Sequence, residues 1–84
     1  RGPKLLTREQ AADAFTTALR YAPQQHETYY QRALAQYRLR RYEQAAADAR
    51  QAYQLVPGYV PGALEEARAL VQLSRYEQSR TGLL

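Results

Sequence analysis

The chain has 84 residues, 45% of them hydrophobic and 24% charged, and its net charge of +4 rests on arginine, with Lys4 the only lysine. That length holds one domain or a piece of one with a modest core, and no apolar run approaches the ~18 residues that span a membrane. The absence of cysteine excludes disulfides and thiolate metal sites while leaving the compartment open, cytoplasmic and periplasmic settings being equally compatible, and the positive charge is too diffuse for the basic stripe of a nucleic-acid binder.

In chain order, the opening Arg1-Gly2-Pro3 and the lack of any methionine are expected of a segment excised from a longer protein. From Thr7 to Tyr21, Ala11, Ala14, Phe15, Ala18 and Leu19 recur at spacings of three and four and predict one face of a helix. Thr7 with Gln10 three residues on reads as a capping box. Pro23 ends that helix, Gln24-Gln25-His26 connect, and a second helix is expected over 27–39, with Tyr30, Ala33, Leu34 and Tyr37 on one stripe.

After Arg40-Arg41 the pattern resumes from Tyr42 to Leu55, with Ala45, Ala49, Ala52 and Leu55 on one side. Pro57-Gly58 stops it. A fourth helix is expected to start at Pro61, where a missing N–H costs nothing, and to run through Leu64, Ala67, Leu70 and Val71 to Leu73. Ser74-Arg75 reads as the next turn, with a truncated fifth helix from Tyr76. No stretch alternates strictly, so no strands are expected, and the short connections make neighbouring helices antiparallel.

Arg41-Tyr42-Glu43-Gln44 recurs at Arg75-Tyr76-Glu77-Gln78, an interval of 34 residues, and the same shift backwards places Glu43-Gln44-Ala45 on Glu9-Gln10-Ala11, Ala52 on Ala18 and Pro57 on Pro23. A helix-turn-helix unit of that period resembles the tetratricopeptide repeat. The residues that carry the resemblance are Tyr29, Ala33, Tyr42, Ala45, Ala52 and Pro57, within a complete unit at 26–59 flanked by partial units at 1–25 and 60–84. It implies an all-α, right-handed α-solenoid of antiparallel helix pairs, about four helices plus the truncated fifth, forming a single segment of a longer array. Three positions depart from the family pattern: Arg32 replaces the usual Leu, Gln36 the usual aromatic, and Ala49 the bulk that Phe15 supplies one unit earlier.

No catalytic constellation is visible. His26 is expected to be a solvated histidine in a connection, with no Ser or Asp spaced to form a triad. Glu65 and Glu66 are neighbours on one helix, about 100° apart, and read as a solvated acidic first turn, not as a facing pair. One His with scattered carboxylates offers no metal-ligand set, so neither enzyme, cofactor nor metal is expected. Arg38, Arg40 and Arg41, with Tyr37 and Tyr42 nearby, have the residue types of a phosphate-and-base contact, but the reading preferred is arginines at a helix C-terminus, where the dipole favours them.

Tyrosine is the enrichment, with 8 Tyr against one Phe and no Trp. Tyr29, Tyr42 and Tyr76 match core positions of the repeat, which leaves Tyr30 and Tyr37 for the surface. By resemblance, the first helix of each unit lines a concave groove for a peptide or helix, and the groove here would present Glu27, Tyr30, Gln31, Leu34, Tyr37 and Arg38, then Leu64, Glu65, Arg68 and Gln72. A subgroup of the family grips a C-terminal carboxylate with Lys, Asn and Arg; Tyr30, Leu34, Gln31, Pro61 and Glu65 stand at the matching sites, so that mode is disfavoured. The first reading is a non-catalytic module that docks a protein partner through Tyr30, Leu34 and Tyr37, with Arg38 and Arg68 orienting an acidic group. The alternative is a structural spacer or assembly segment of a larger scaffold, for secretion or complex assembly, able to self-associate through uncapped repeat ends. Nucleic-acid binding ranks third.

Overall fold

The computed structural model describes residues 7–81, so the Arg1-Gly2-Pro3 opening and the last three residues of the expected 60–84 unit lie outside the described residues. Four helices follow one another, α1 (Arg8–Tyr21), α2 (His26–Arg38), α3 (Tyr42–Leu55) and α4 (Val60–Thr81), with no strand among the described residues. The molecule measures 45 × 40 × 18 Å, a thickness of about two helix diameters. α2 touches α1, α3 and α4, and α3 touches α4, while α1 rests on α2 alone. That is an all-α helical repeat arrangement. No helix of the described residues is long and apolar enough to cross a membrane.

Local chemistry sets the helix ends. Thr7 Oγ1 accepts from the Gln10 N–H at 3.0 Å while the Gln10 side chain accepts from the Thr7 N–H at 2.9 Å, the reciprocal box its spacing predicts. α2 closes with the Arg41 N–H donating to the Gln36 carbonyl (2.8 Å) and the Arg40 N–H to the Tyr37 carbonyl (3.0 Å). This Schellman closure puts Arg40 at φ 62, where glycine is the usual occupant. Between α3 and α4 the Tyr59 N–H reaches the Val56 carbonyl at 3.0 Å with Gly58 at φ 90, so Pro57-Gly58 supplies the fixed and the left-handed position of a tight turn.

The core is built from methyl groups. Ala45 and Ala46 of α3 and Ala69 of α4 form a buried cluster with Tyr37 packed against it, and Ala33, Ala49 and Ala52 are fully buried. Alanine lets backbones approach closely, and Gly62 extends this: a Cβ there would lie 2.9 Å from the Ala49 carbonyl oxygen. On α1 the packed residues are Ala12 and Leu19, flanked by half-buried Ala11 and Phe15, whereas Ala14 and Ala18 are exposed. The expected stripe was rotated by part of a turn.

α4 departs most from expectation. No turn occurs at Ser74-Arg75 and no fifth helix begins at Tyr76, because α4 continues to Thr81. Each further helical residue gains a backbone hydrogen bond, whereas a turn needs a left-handed residue and packing to offset it. One unit earlier that packing exists, since Tyr42 folds back onto Tyr37 and Ala45 and Ala46 are buried. Residues 74–80 are all exposed, and Tyr76, at a core position of the repeat, is 54% exposed. The face of α4 that packs carries Gly62, Glu65 and Ala69, while Val60, Leu64, Ala67 and Val71 are exposed and Leu70 lines a shallow cleft beside Ala46 of α3.

Candidate functional site

α2 and α4 share one face of the molecule, and aromatic contacts join them. The Arg68 guanidinium of α4 lies over the Tyr37 ring of α2 at 4.1 Å, and Tyr37 meets Tyr42 edge-on at 5.3 Å. At the other end, Tyr59, just before α4, receives the edges of Tyr30 (5.8 Å) and His26 (4.7 Å). T-shaped pairs at such distances contribute roughly 0.5–1.5 kcal/mol beyond their buried area. Tyr30 and Tyr37 are therefore half-buried rings fixed by neighbours, not free surface aromatics, and His26 is the half-buried first residue of α2, not a solvated histidine in a connection. Burial, followed by the charge of Glu27, pushes the Tyr59 phenol above its ordinary value.

Around these rings Glu27, Gln31 and Arg38 are exposed on α2, Leu34 is half-buried, and Leu64 on α4 is 66% exposed. Arg38 makes no ion pair among the described residues, whereas Arg68 donates to Glu65 Oε1 at 2.8 Å. The charge of Arg68 is thus met within the chain, and of the two arginines expected to orient an acid only Arg38 is available. Gln72 lines a different cleft, against the start of α3.

Glu65 is not part of a solvated acidic turn. It is 5% exposed, and its Oε2 has no hydrogen-bond partner among the described residues. Glu66 is enclosed too, accepting from Arg50 Nε at 2.6 Å and from the Tyr53 hydroxyl at 2.7 Å. These bonds raise the Arg50 guanidinium and the Tyr53 phenol above their ordinary values, hydrogen bonding to Glu66 being the largest cause in each. Both carboxylates sit on the α4 face that packs, and arginine or tyrosine compensates them there.

Sequence reasoning missed a second buried network. Asp48 of α3, 7% exposed, receives Arg32 Nε at 2.7 Å and Nη2 at 2.8 Å, while Arg32 Nη1 reaches Thr16 Oγ1 of α1 at 3.2 Å. The Gln36 amide, oriented as its neighbours require, donates to Asp48 Oδ2 (2.7 Å) and to the Gln44 carbonyl (3.1 Å). Hydrogen bonding to Asp48 is the largest cause that raises the Arg32 pKa, and burial opposes it. The two departures from the family pattern on α2, Arg32 and Gln36, are thus explained by one aspartate. The available signal was an Asp set within the alanines of α3.

Residues 26–59 match the family model for the tetratricopeptide repeat. A protein described as Protein SGT1 homolog, from Oryza sativa subsp. japonica, is 33% identical over 75 residues, which covers 89% of this chain and 20% of the relative. The chain thus spans about a fifth of that relative's length. No solved structure matches.

Proposed function

Residues 26–59 are a tetratricopeptide repeat, a unit that generally mediates protein–protein interaction, and on that premise we propose that the chain is a docking module for a protein partner. The flanking partial units at 1–25 and 60–84 complete one repeat segment around it. The binding surface is the face shared by α2 and α4. What supports this reading is the contact of Arg68 with Tyr37, which joins the first helices of successive units into one continuous surface. Tyr30, Leu34 and Tyr37 supply its apolar floor and Leu64 its edge, Glu27 and Gln31 its polar rim, and Arg38 the free positive charge; such a mixture is typical of interface patches. Arg68 holds the floor together, and Gln72 is left at the periphery.

The test is co-purification from cells with the full-length protein carrying Gln31→Arg and Arg38→Glu, both exposed and hence harmless to folding. Loss of a bound protein that an α1 surface variant, Arg8→Glu, retains is expected. Equal recovery by both variants would remove this face from binding.

A second reading is favoured by one observation. Val60, Leu64, Ala67 and Val71 fall at spacings of four, three and four on the outward side of α4, an apolar face with nothing against it in the described chain. An assembly segment would use that face for a further helix or another copy. Sedimentation of the chain discriminates: concentration-dependent association abolished by Leu64→Gln with Val71→Gln supports it, and a strict monomer excludes self-association.

A further inference from the structure

Residues of both copies of Arg-Tyr-Glu-Gln line one cleft. Because α4 runs straight past Ser74, it carries Arg75, Tyr76 and Ser79 alongside the turn between α2 and α3. They enclose, with Arg40, Arg41 and Tyr42, a cleft of about 810 Å³. We infer that this cleft is a second docking site, separate from the α2 and α4 face, and that it takes an acidic segment of a protein partner through Arg40, Arg41 and Arg75.

Charge is the first support. Three arginines line the cleft and none of them is in an ion pair among the described residues, whereas Arg32, Arg50, Arg68 and Arg80 each have a carboxylate within the chain. Among the described residues Glu43 is the one carboxylate in the lining, so the three arginines outnumber it.

Backbone conformation is the second. Arg40 holds φ 62, a region that an L-residue occupies at a cost and glycine occupies freely. A Schellman closure needs a left-handed residue but makes no use of a guanidinium. Keeping arginine there gives up stability, and what the side chain adds is a third positive charge at the mouth of the cleft. The start of α3 adds to this field in a minor way, since its N-cap, Arg41, makes no side-chain cap, in contrast to the Thr7 box on α1.

Size and lining choose the ligand. A lone inorganic anion would leave most of the volume empty. Leu73 and the rings of Tyr42 and Tyr76 provide an apolar floor, and Gln44 and Gln72 provide amides that match a peptide backbone. A nucleic acid would require the positive surface to continue along its backbone, but Glu43 interrupts the lining and Glu77 flanks it on α4.

The experiment titrates the chain into a fluorescein-labelled peptide of alternating glutamate and leucine and follows anisotropy at low and high salt. Binding that weakens with salt is expected, with a loss of about tenfold or more in the Arg40→Gly plus Arg75→Gln variant. Removing equal charge from α1, by Arg8→Gln plus Arg20→Gln, leaves affinity within about twofold. Glycine fits the backbone at position 40, so the thermal midpoint does not fall; Arg41→Gln plus Arg75→Gln leaves the turn untouched and loses affinity as well. Absence of binding by the unaltered chain, an equal loss in the α1 variant, or a single-stranded oligonucleotide that binds more tightly than the peptide would each overturn the assignment.

Discussion

α3 and α4 are neighbouring helices rich in alanine, and they use their sequences in opposite ways. α3 is gripped between α2 and α4, and its buried residues are Ala45, Ala46, Ala49 and Ala52, with Asp48 as the polar exception. α4 packs through Gly62, Ala69 and the carboxylates of Glu65 and Glu66, and turns Val60, Leu64 and Val71 outwards. A helix in a repeat stack has one face toward the preceding unit and another toward its own partner helix. The preceding unit needs close approach and is met by small residues; the more hydrophobic face of α4 is the one with no neighbour in the described chain. Hydrophobicity alone therefore points to the wrong side of α4.

The substitution that strikes this contrast hardest is Ala45→Trp. Ala45 is 0% exposed and lies against Ala46, Ala69 and Tyr37. An indole there separates α3 from α4, at a cost above the ~3 kcal/mol usual for overpacking, a large share of the roughly 4–13 kcal/mol that a chain of this size holds. Loss of the cooperative thermal transition in circular dichroism is expected, and an unchanged midpoint would refute the packing.

The next effect sharpens the polar exception on α3. Asp48→Ala leaves the Arg32 guanidinium, with a side chain 20% exposed, without its two carboxylate bonds. A cost of about 2–3 kcal/mol is expected, below the value for a fully buried pair because water reaches part of the arginine. Combining it with Arg32→Leu removes the stranded charge and recovers much of the loss. Urea midpoints of the two single variants and the double variant measure the coupling, and additive costs would show that the pair acts only as separate groups.

How legible this was from sequence depended on whether the determining partner was close in the chain. The Thr7–Gln10 box, the Pro57-Gly58 turn and the 34-residue interval are local or periodic, and each stands in the structure or the family match as the spacing implies. Arg32 and Asp48 are 16 residues apart and meet only after α2 and α3 dock, so Arg32 in isolation read as a departure from the pattern and Asp48 drew no reading at all. Glu65 sits where helix periodicity allows either a solvated or a buried face, and the packing of α4 decides it, leaving Glu65 5% exposed. The same holds at Ser74, because the equivalent turn one unit earlier depends on the packing of α3 behind it. On the candidate face, the positions of Tyr30 and Tyr37 were readable, but their restraint by Tyr59, Tyr42 and Arg68 was not.

The smallest expected effect is the most direct test of the difference between the two helices. Val71 is 52% exposed on the outward side of α4, two residues from fully buried Ala69. Val71→Gln removes no packed neighbour, and glutamine has the better helix propensity, so stability should move by no more than about 0.5 kcal/mol in either direction. At Ala69 the same glutamine is forced between α3 and α4, where its amide has to displace the methyl groups of Ala45 and Ala46, and a loss of about 3 kcal/mol is expected from overpacking and an unpaired polar group together. If the thermal midpoints of the two variants fell together, the outward face of α4 would be covered in solution, and self-association through Val60, Leu64 and Val71 would become the favoured explanation for why those residues are apolar.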